Sequence, residues 1–167
     1  LHAHGHNHEA DIEGAARVGD RIYWLGSHSR GRQGDLRYNR QQLFATRIVT
    51  NAASAPALQF AGRSCTHLLE AILARFGPGI PELRAAAPLP PKSGGINFEG
   101  LAALENGGLL MALRSPIPDR KALLFALLNP AEATAGREPR FGDPIRLELD
   151  GLGVRDITWT GREYFLL

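Results

Sequence analysis

The chain has one cysteine in 167 residues, which excludes an internal disulfide framework and leaves the redox compartment open. It has no apolar run near the roughly 18–20 residues that a membrane-crossing helix needs, so no membrane is expected as a partner. Lysine is scarce: of 19 basic residues only Lys92 and Lys121 are lysine, and the rest are arginine. Charge of one sign is lacking too. The 17 acids leave a net charge of +2, too small a balance for a polyanion-binding surface, and nucleic acid is not expected. No GxGxxG fingerprint, Walker loop, CxxC pair or zinc-protease helix occurs. No charged stub followed by an apolar core marks a signal peptide. Localisation stays open, with a lean to the cytoplasm.

What is present is a folded composition, 44% hydrophobic, and an internal repeat. Asp11–Arg17 leads through a turn at Gly19-Asp20 into the apolar run Ile22–Gly26 and then Ser27-His28-Ser29. Asn97–Ala103 leads through Asn106-Gly107-Gly108 into Leu109–Leu113 and then Arg114-Ser115-Pro116. Superposing Glu13 on Glu99 aligns both turns and both runs without a gap. A weaker third copy runs from Val154 through Gly161-Arg162 into Tyr164–Leu167, placing Arg155 opposite the two glutamates.

Two apolar runs joined by a short polar turn are a hairpin signal. Third strands are predicted at Gln42–Ile48 and Lys121–Leu128, and fourth strands at Ala57–Ala61 and Ile145–Leu149. The nearly continuous apolar runs suit strands covered on both faces. Between the first two units, His67–Phe76 has helical spacing, with Ser64 or Thr66 as a cap and Gly77-Pro78 as a stop. A further helical turn is predicted at Glu82–Ala86, and a loop at Pro130–Pro144.

The predicted fold is therefore all-β: a β-propeller-like fragment of repeated four-stranded antiparallel blades with a helical insertion. Residues 1–10 form a His-rich segment and 11–167 an incomplete domain. That domain divides into a blade at 11–62, an insert at 63–95, a blade at 96–150 and the start of a third at 151–167. Further blades are expected in cis beyond Leu167.

These stretches, Asp11–Arg30, Asn39-Arg40 and Leu43–Thr46, then Ile96–Ala103, Arg114–Pro118, Lys121–Leu123 and Leu152–Ile157, resemble a bacterial propeller-like family known as domain of unknown function 3616. The resemblance implies a larger propeller-like domain and no assigned reaction. The Glu-Gly-Leu-Ala motif has a fainter similarity to esterase-like phytase propellers, too short to carry an activity.

In a propeller the first strands line the central channel, so Glu13, Glu99, Arg155 and Asp156 are expected to converge there. Such a group suits either a divalent cation, calcium or manganese, held by Glu13, Glu99 and Asp156, or an anion held by Arg155. The competing reading is a structural ion-pair network. His28 and Arg114 are expected at the channel mouth, with Arg40 nearby, as ligand-binding residues. Ser27 and His28, as strand neighbours, point to opposite faces and do not make a nucleophile–base pair.

Between His28 and Arg47 lie Arg30, Arg32, Arg37, Arg40 and Arg47 against Asp35 alone, a basic loop able to collect phosphate. His2, His4, His6 and His8 alternate and would take zinc or nickel if the segment were extended; a tag remnant competes. Cys65 reads as a small buried hydrophobe. The strand aromatics read as packing. Two functions follow: binding of a small anionic ligand or protein partner at a charged channel mouth, or a metal-dependent phosphoester hydrolase or esterase.

Overall fold

In the computed structural model, which describes residues 9–51 and 54–167, Gly19 takes a φ of +61° and closes a two-residue turn. That turn joins β1 (Ile12–Val18) to β2 (Arg21–Gly26), with Val18 opposite Arg21. β3 (Leu43–Asn51) and β4 (Ser54–Phe60) complete a four-stranded antiparallel sheet in the order of the chain. A second such sheet is built from β5 (Asn97–Ala103), β6 (Leu109–Ser115), β7 (Lys121–Leu127) and β8 (Ile145–Glu148). β9 (Ile157–Trp159) and β10 (Tyr164–Leu166) form a two-stranded hairpin. The described chain is thus mostly β, in three open antiparallel sheets.

Period-two alternation divides the second sheet between two cores. Leu101, Leu109, Met111, Leu113, Leu123, Phe125 and Leu127 meet Tyr23, Leu25, Leu43 and Ala45 of the first sheet. The intervening Ala102, Leu110, Ala112, Ala122 and Leu124 meet Val154, Ile157 and Tyr164 from the third unit. This explains why β6 and β7 read as unbroken apolar runs: both faces leave water, and each fully buried Leu or Phe contributes about 1.5–3 kcal/mol.

The insert folds as predicted in position. Helix α1 (Leu68–Phe76) and helix α2 (Pro81–Ala86) bury Leu68, Ile72, Phe76 and Leu83 in the first core. The expected cap is absent: His67 occupies the N-cap position and no side chain bonds the free amides, neither Ser64 nor Thr66. The stretch expected as loop after β7 begins with a short helix, α3 (Pro130–Ala133), and returns through a bridge pairing Phe141 with Leu127.

The two four-stranded sheets share one irregularity, and the sequence superposition needs one correction. Glu13 and Glu99 are the same residue of the same irregularity, the extra residue of a β-bulge. Ile12 and Gly14 face the adjacent pair Gly26 and Leu25, and Phe98 and Gly100 face Leu113 and Ala112. The superposition nevertheless needs a gap. The β5–β6 connection, Leu104–Gly108, is longer than the two-residue β1–β2 turn, so Leu25 matches Ala112 rather than Met111. Continuing that register, Ser27 and not His28 matches Arg114.

The glycine after each glutamate has a steric role. A Cβ on Gly14 would lie 2.6 Å from Leu101 Cβ of the next first strand. A Cβ on Gly100 would lie 3.0 Å from Ile157 Cγ2 of the one after. Leu101 and Ile157 are themselves equivalent, so β1 meets β5 as β5 meets β9. That recurrence brings the side chains beside each glycine into one region.

Candidate functional site

The bulge aims Glu99 into a largely dry setting, where it is about 9% exposed. Its Oε1 accepts hydrogen bonds from Arg114 Nη1 and Asn97 Nδ2, each at 2.7 Å, and Arg155 Nη1 lies 3.7 Å from Oε2. Arg114 comes from the end of β6 and Arg155 from the approach to β9. The convergence expected of Glu99 and Arg155 is therefore present, with Arg114 as the closer cation. Arg114, expected at the channel mouth as a ligand residue, instead has its guanidinium on the Glu99 carboxylate.

Glu13 lies within electrostatic reach of this group but is not one of its ion pairs. Burial, then the Asp11 and Glu99 carboxylates, hold its carboxyl above the ordinary value, and Arg114 and Arg40 offset only part of that. Asp156 does not join them: it is exposed, and its Oδ1 accepts from the backbone N–H of Ile157 at 2.8 Å. Among the described residues no three His, Cys, Asp or Glu side chains form a group that could hold a metal ion. The calcium or manganese site expected from Glu13, Glu99 and Asp156 is not assembled. His2, His4, His6 and His8 lie outside the described residues.

His28 is not at a mouth. It is 1% exposed, adopts a φ of +54°, and packs edge-on against Phe98 at 5.6 Å between ring centroids. Its Nδ1 lies 2.8 Å from Gly26 O, which fixes Nδ1 as the protonated nitrogen of the neutral ring. Its Nε2 has no partner among the described residues. Burial lowers its pKa to about 4, so the ring is uncharged near neutrality. The Ser27 and Ser29 hydroxyls bond to each other at 2.8 Å and not to the ring. Cys65 is buried, its thiol pushed up to about 11 by desolvation, and carries no thiolate chemistry.

Arg40 does lie at an opening. Its guanidinium donates to Ser29 Oγ at 2.9 Å and pairs with Glu9 at 2.9 Å and Asp11 at 3.2 Å. Beside it is a cleft of about 670 Å³. One wall is the basic loop, with Arg30, Arg32 and Arg37; the other is the turn Pro90–Ser93, carrying Lys92. Five cations therefore line it against two carboxylates, Glu9 and Asp35. Arg30 is anchored by hydrogen bonds to Ala87 O at 2.8 Å and Gly34 O at 2.9 Å, and Arg37 pairs with Asp35 at 2.6 Å. Arg32 and Lys92 are exposed and have no ion-pair partner among the described residues.

Anchored and free cations thus share one concavity. Anchored guanidinia keep a fixed direction, and the free ones can close on a ligand. The sequence supplied the loop and its charge. It gave no sign that Pro90–Ser93, some fifty residues on, would face it.

No curated protein matches the chain. A family match begins inside the helical insert and runs to the last residue, leaving the first repeat, residues 11–62, outside the matched stretch. With residues 67–167 matched, the chain belongs to the family described as Protein of unknown function (DUF3616).

Proposed function

We propose that the chain is part of a propeller-like domain whose work is binding, and that its ligand is a small anion taken up in the cleft between the basic loop and Pro90–Ser93. The single observation that carries the reading is the lining: five cations against two carboxylates around about 670 Å³, with Arg32 and Lys92 uncommitted. Such a surplus in a concavity raises the local concentration of anions and offers bidentate donors to phosphate or carboxylate oxygens.

The recurrent approach of Gly14 to Leu101 and of Gly100 to Ile157 supports reading residues 11–62, 96–150 and 151–167 as successive blades, with 63–95 inserted between the first two. On this reading the Glu99–Arg114–Arg155 group is an ion-pair network that ties neighbouring blades together. The hydrolase alternative finds less support. The Ser27 and Ser29 hydroxyls are buried against each other, and among the described residues no hydroxyl is hydrogen-bonded to the His28 ring.

The test is calorimetric titration with inorganic pyrophosphate, with citrate as a carboxylate probe. We expect saturable binding that the Arg32→Gln/Lys92→Gln double variant weakens about tenfold. Unchanged binding in that variant would remove the cleft from the reading. Turnover of a phosphoester or ester panel would restore the enzymatic alternative.

A further inference from the structure

A second cavity opens at the other end of β5. It measures about 380 Å³ and lies between the β5–β6 connection and the β9–β10 hairpin, lined by Leu104, Glu105, Asn106, Trp159 and Tyr164. Its chemistry is the reverse of the basic cleft. It has a carboxylate, an amide, two large aromatic rings and no cationic side chain.

The rings are placed by the ladder. Trp159 and Tyr164 are register partners across the hairpin, and their centroids are 4.5 Å apart at 40°. The Tyr164 hydroxyl donates to Ala103 O at 3.0 Å, which ties the hairpin to the end of β5 and holds that ring at the cavity. Both side chains are half-buried. Asn106 is also fixed, since its Oδ1 accepts from the backbone N–H of Gly108 at 3.1 Å. Glu105 is exposed and forms no ion pair among the described residues. Its charge reaches the rings: after burial itself, the Glu105 carboxylate is what raises the Tyr164 phenol above its ordinary value. The neighbouring charges, Arg162 and Glu163 in the β9–β10 turn, lie outside the lining.

An aromatic ring presents negative charge on its face, and a cation over that face is attracted by the ring quadrupole, most strongly for Trp. A carboxylate at the rim adds a full charge of the same sign. A neutral apolar ligand gains nothing from Glu105, and an anion is repelled by the Glu105 carboxylate and by the faces of both rings. We propose that the Trp159–Tyr164 ring pair and the Glu105 carboxylate form a site for a small organic cation of the quaternary-ammonium class.

The proposal stands apart from the anion reading, because the two cavities share no residue. The experiment uses Trp24→Phe, which leaves Trp159 as the sole indole and keeps a ring stacked beside Phe44. Choline chloride is titrated at constant ionic strength while indole fluorescence is followed. The parallel titration uses 3,3-dimethylbutan-1-ol, which has the same shape and no charge. The expected result is saturable quenching by choline with a dissociation constant on the order of millimolar. The uncharged analogue should bind about two- to fivefold more weakly, and Glu105→Gln should narrow that difference while the ring contribution remains. Equal response to both compounds would reduce the site to an apolar patch and overturn the proposal. So would no response to choline, or a response to methyl glucoside in its place.

Discussion

Glu13 and Glu99 occupy the same bulge position in successive sheets, yet only Glu99 has an arginine, Arg114, hydrogen-bonded to it. Equivalent backbone thus delivers two carboxylates to opposite electrostatic circumstances. Glu99 is matched by Arg114 and Arg155, whereas Glu13 faces Asp11 and Glu99. Neutralising them should therefore have opposite effects. Glu99→Gln should lower stability by about 1–2 kcal/mol at pH 7, because Arg114 loses a buried counter-charge. Glu13→Gln should raise it. A carboxyl whose folded pKa lies above the unfolded one favours the fold only while protonated, and that benefit is lost as pH rises through the folded value. Urea midpoints of the two variants check both signs.

The close approach of first strands gives a second prediction. Gly100→Ala inserts a methyl 3.0 Å from Ile157 Cγ2 and from Ala112 Cβ, with packed strands on either side. It should cost about 1–3 kcal/mol. At this chain length that lowers the melting temperature by about 2–4 °C per kcal/mol. Gly14→Ala should behave alike against Leu101, and scanning calorimetry on both variants compares the two interfaces.

His28 sets a pH dependence. Its pKa is near 4 in the folded protein and near 6.5 unfolded, so the unfolded chain takes up the proton first as pH falls. The stability due to the neutral buried ring is full above pH 6.5 and is lost between 6.5 and 4. The loss is roughly 3 kcal/mol, the free-energy equivalent of that shift. His28→Asn, a residue that tolerates the same positive φ, should flatten this part of the profile. NMR titration of the imidazole should show no protonation at pH 6.

Anion binding in the cleft should depend on salt. Arg32 and Lys92 are exposed, so their attraction for a ligand is screened once the Debye length falls to about 8–10 Å. Pyrophosphate affinity should drop several-fold between 20 and about 200 mM sodium chloride. The choline response at Trp159 should change far less, because cation–π contact is short-ranged.

The hairpins were legible in the sequence because their signals are local. Gly19-Asp20 and Asn106-Gly107-Gly108 announce turns, and the period of apolar residues on either side announces strands. Helices α1 and α2 were legible for the same reason. The gap in the repeat was not, because Leu104 and Gly108 can be assigned to strand or loop without changing the apolar pattern. The burial of His28 depends on Phe98, seventy residues away, and nothing beside His28 announces it. Arg114 carried no mark of its partner, since Glu99 reaches it only through the bulge. Trp159, a strand aromatic, does pack, against Tyr164; the cavity beside them lies along the long β5–β6 connection, whose companion in the first unit is a tight turn.

The absent side chain at Gly14 and Gly100 has a further consequence. With no Cβ in the way, the Gly14 backbone closes on Leu101 and the Gly100 backbone on Ile157, which lets β1 lie against β5 and β5 against β9. Glu13 and Glu99, each just before one of these glycines, are thereby carried close to the neighbouring strand. Exchanging Glu13 or Glu99 for another side chain would change the charge presented there and leave the glycine's close approach in place.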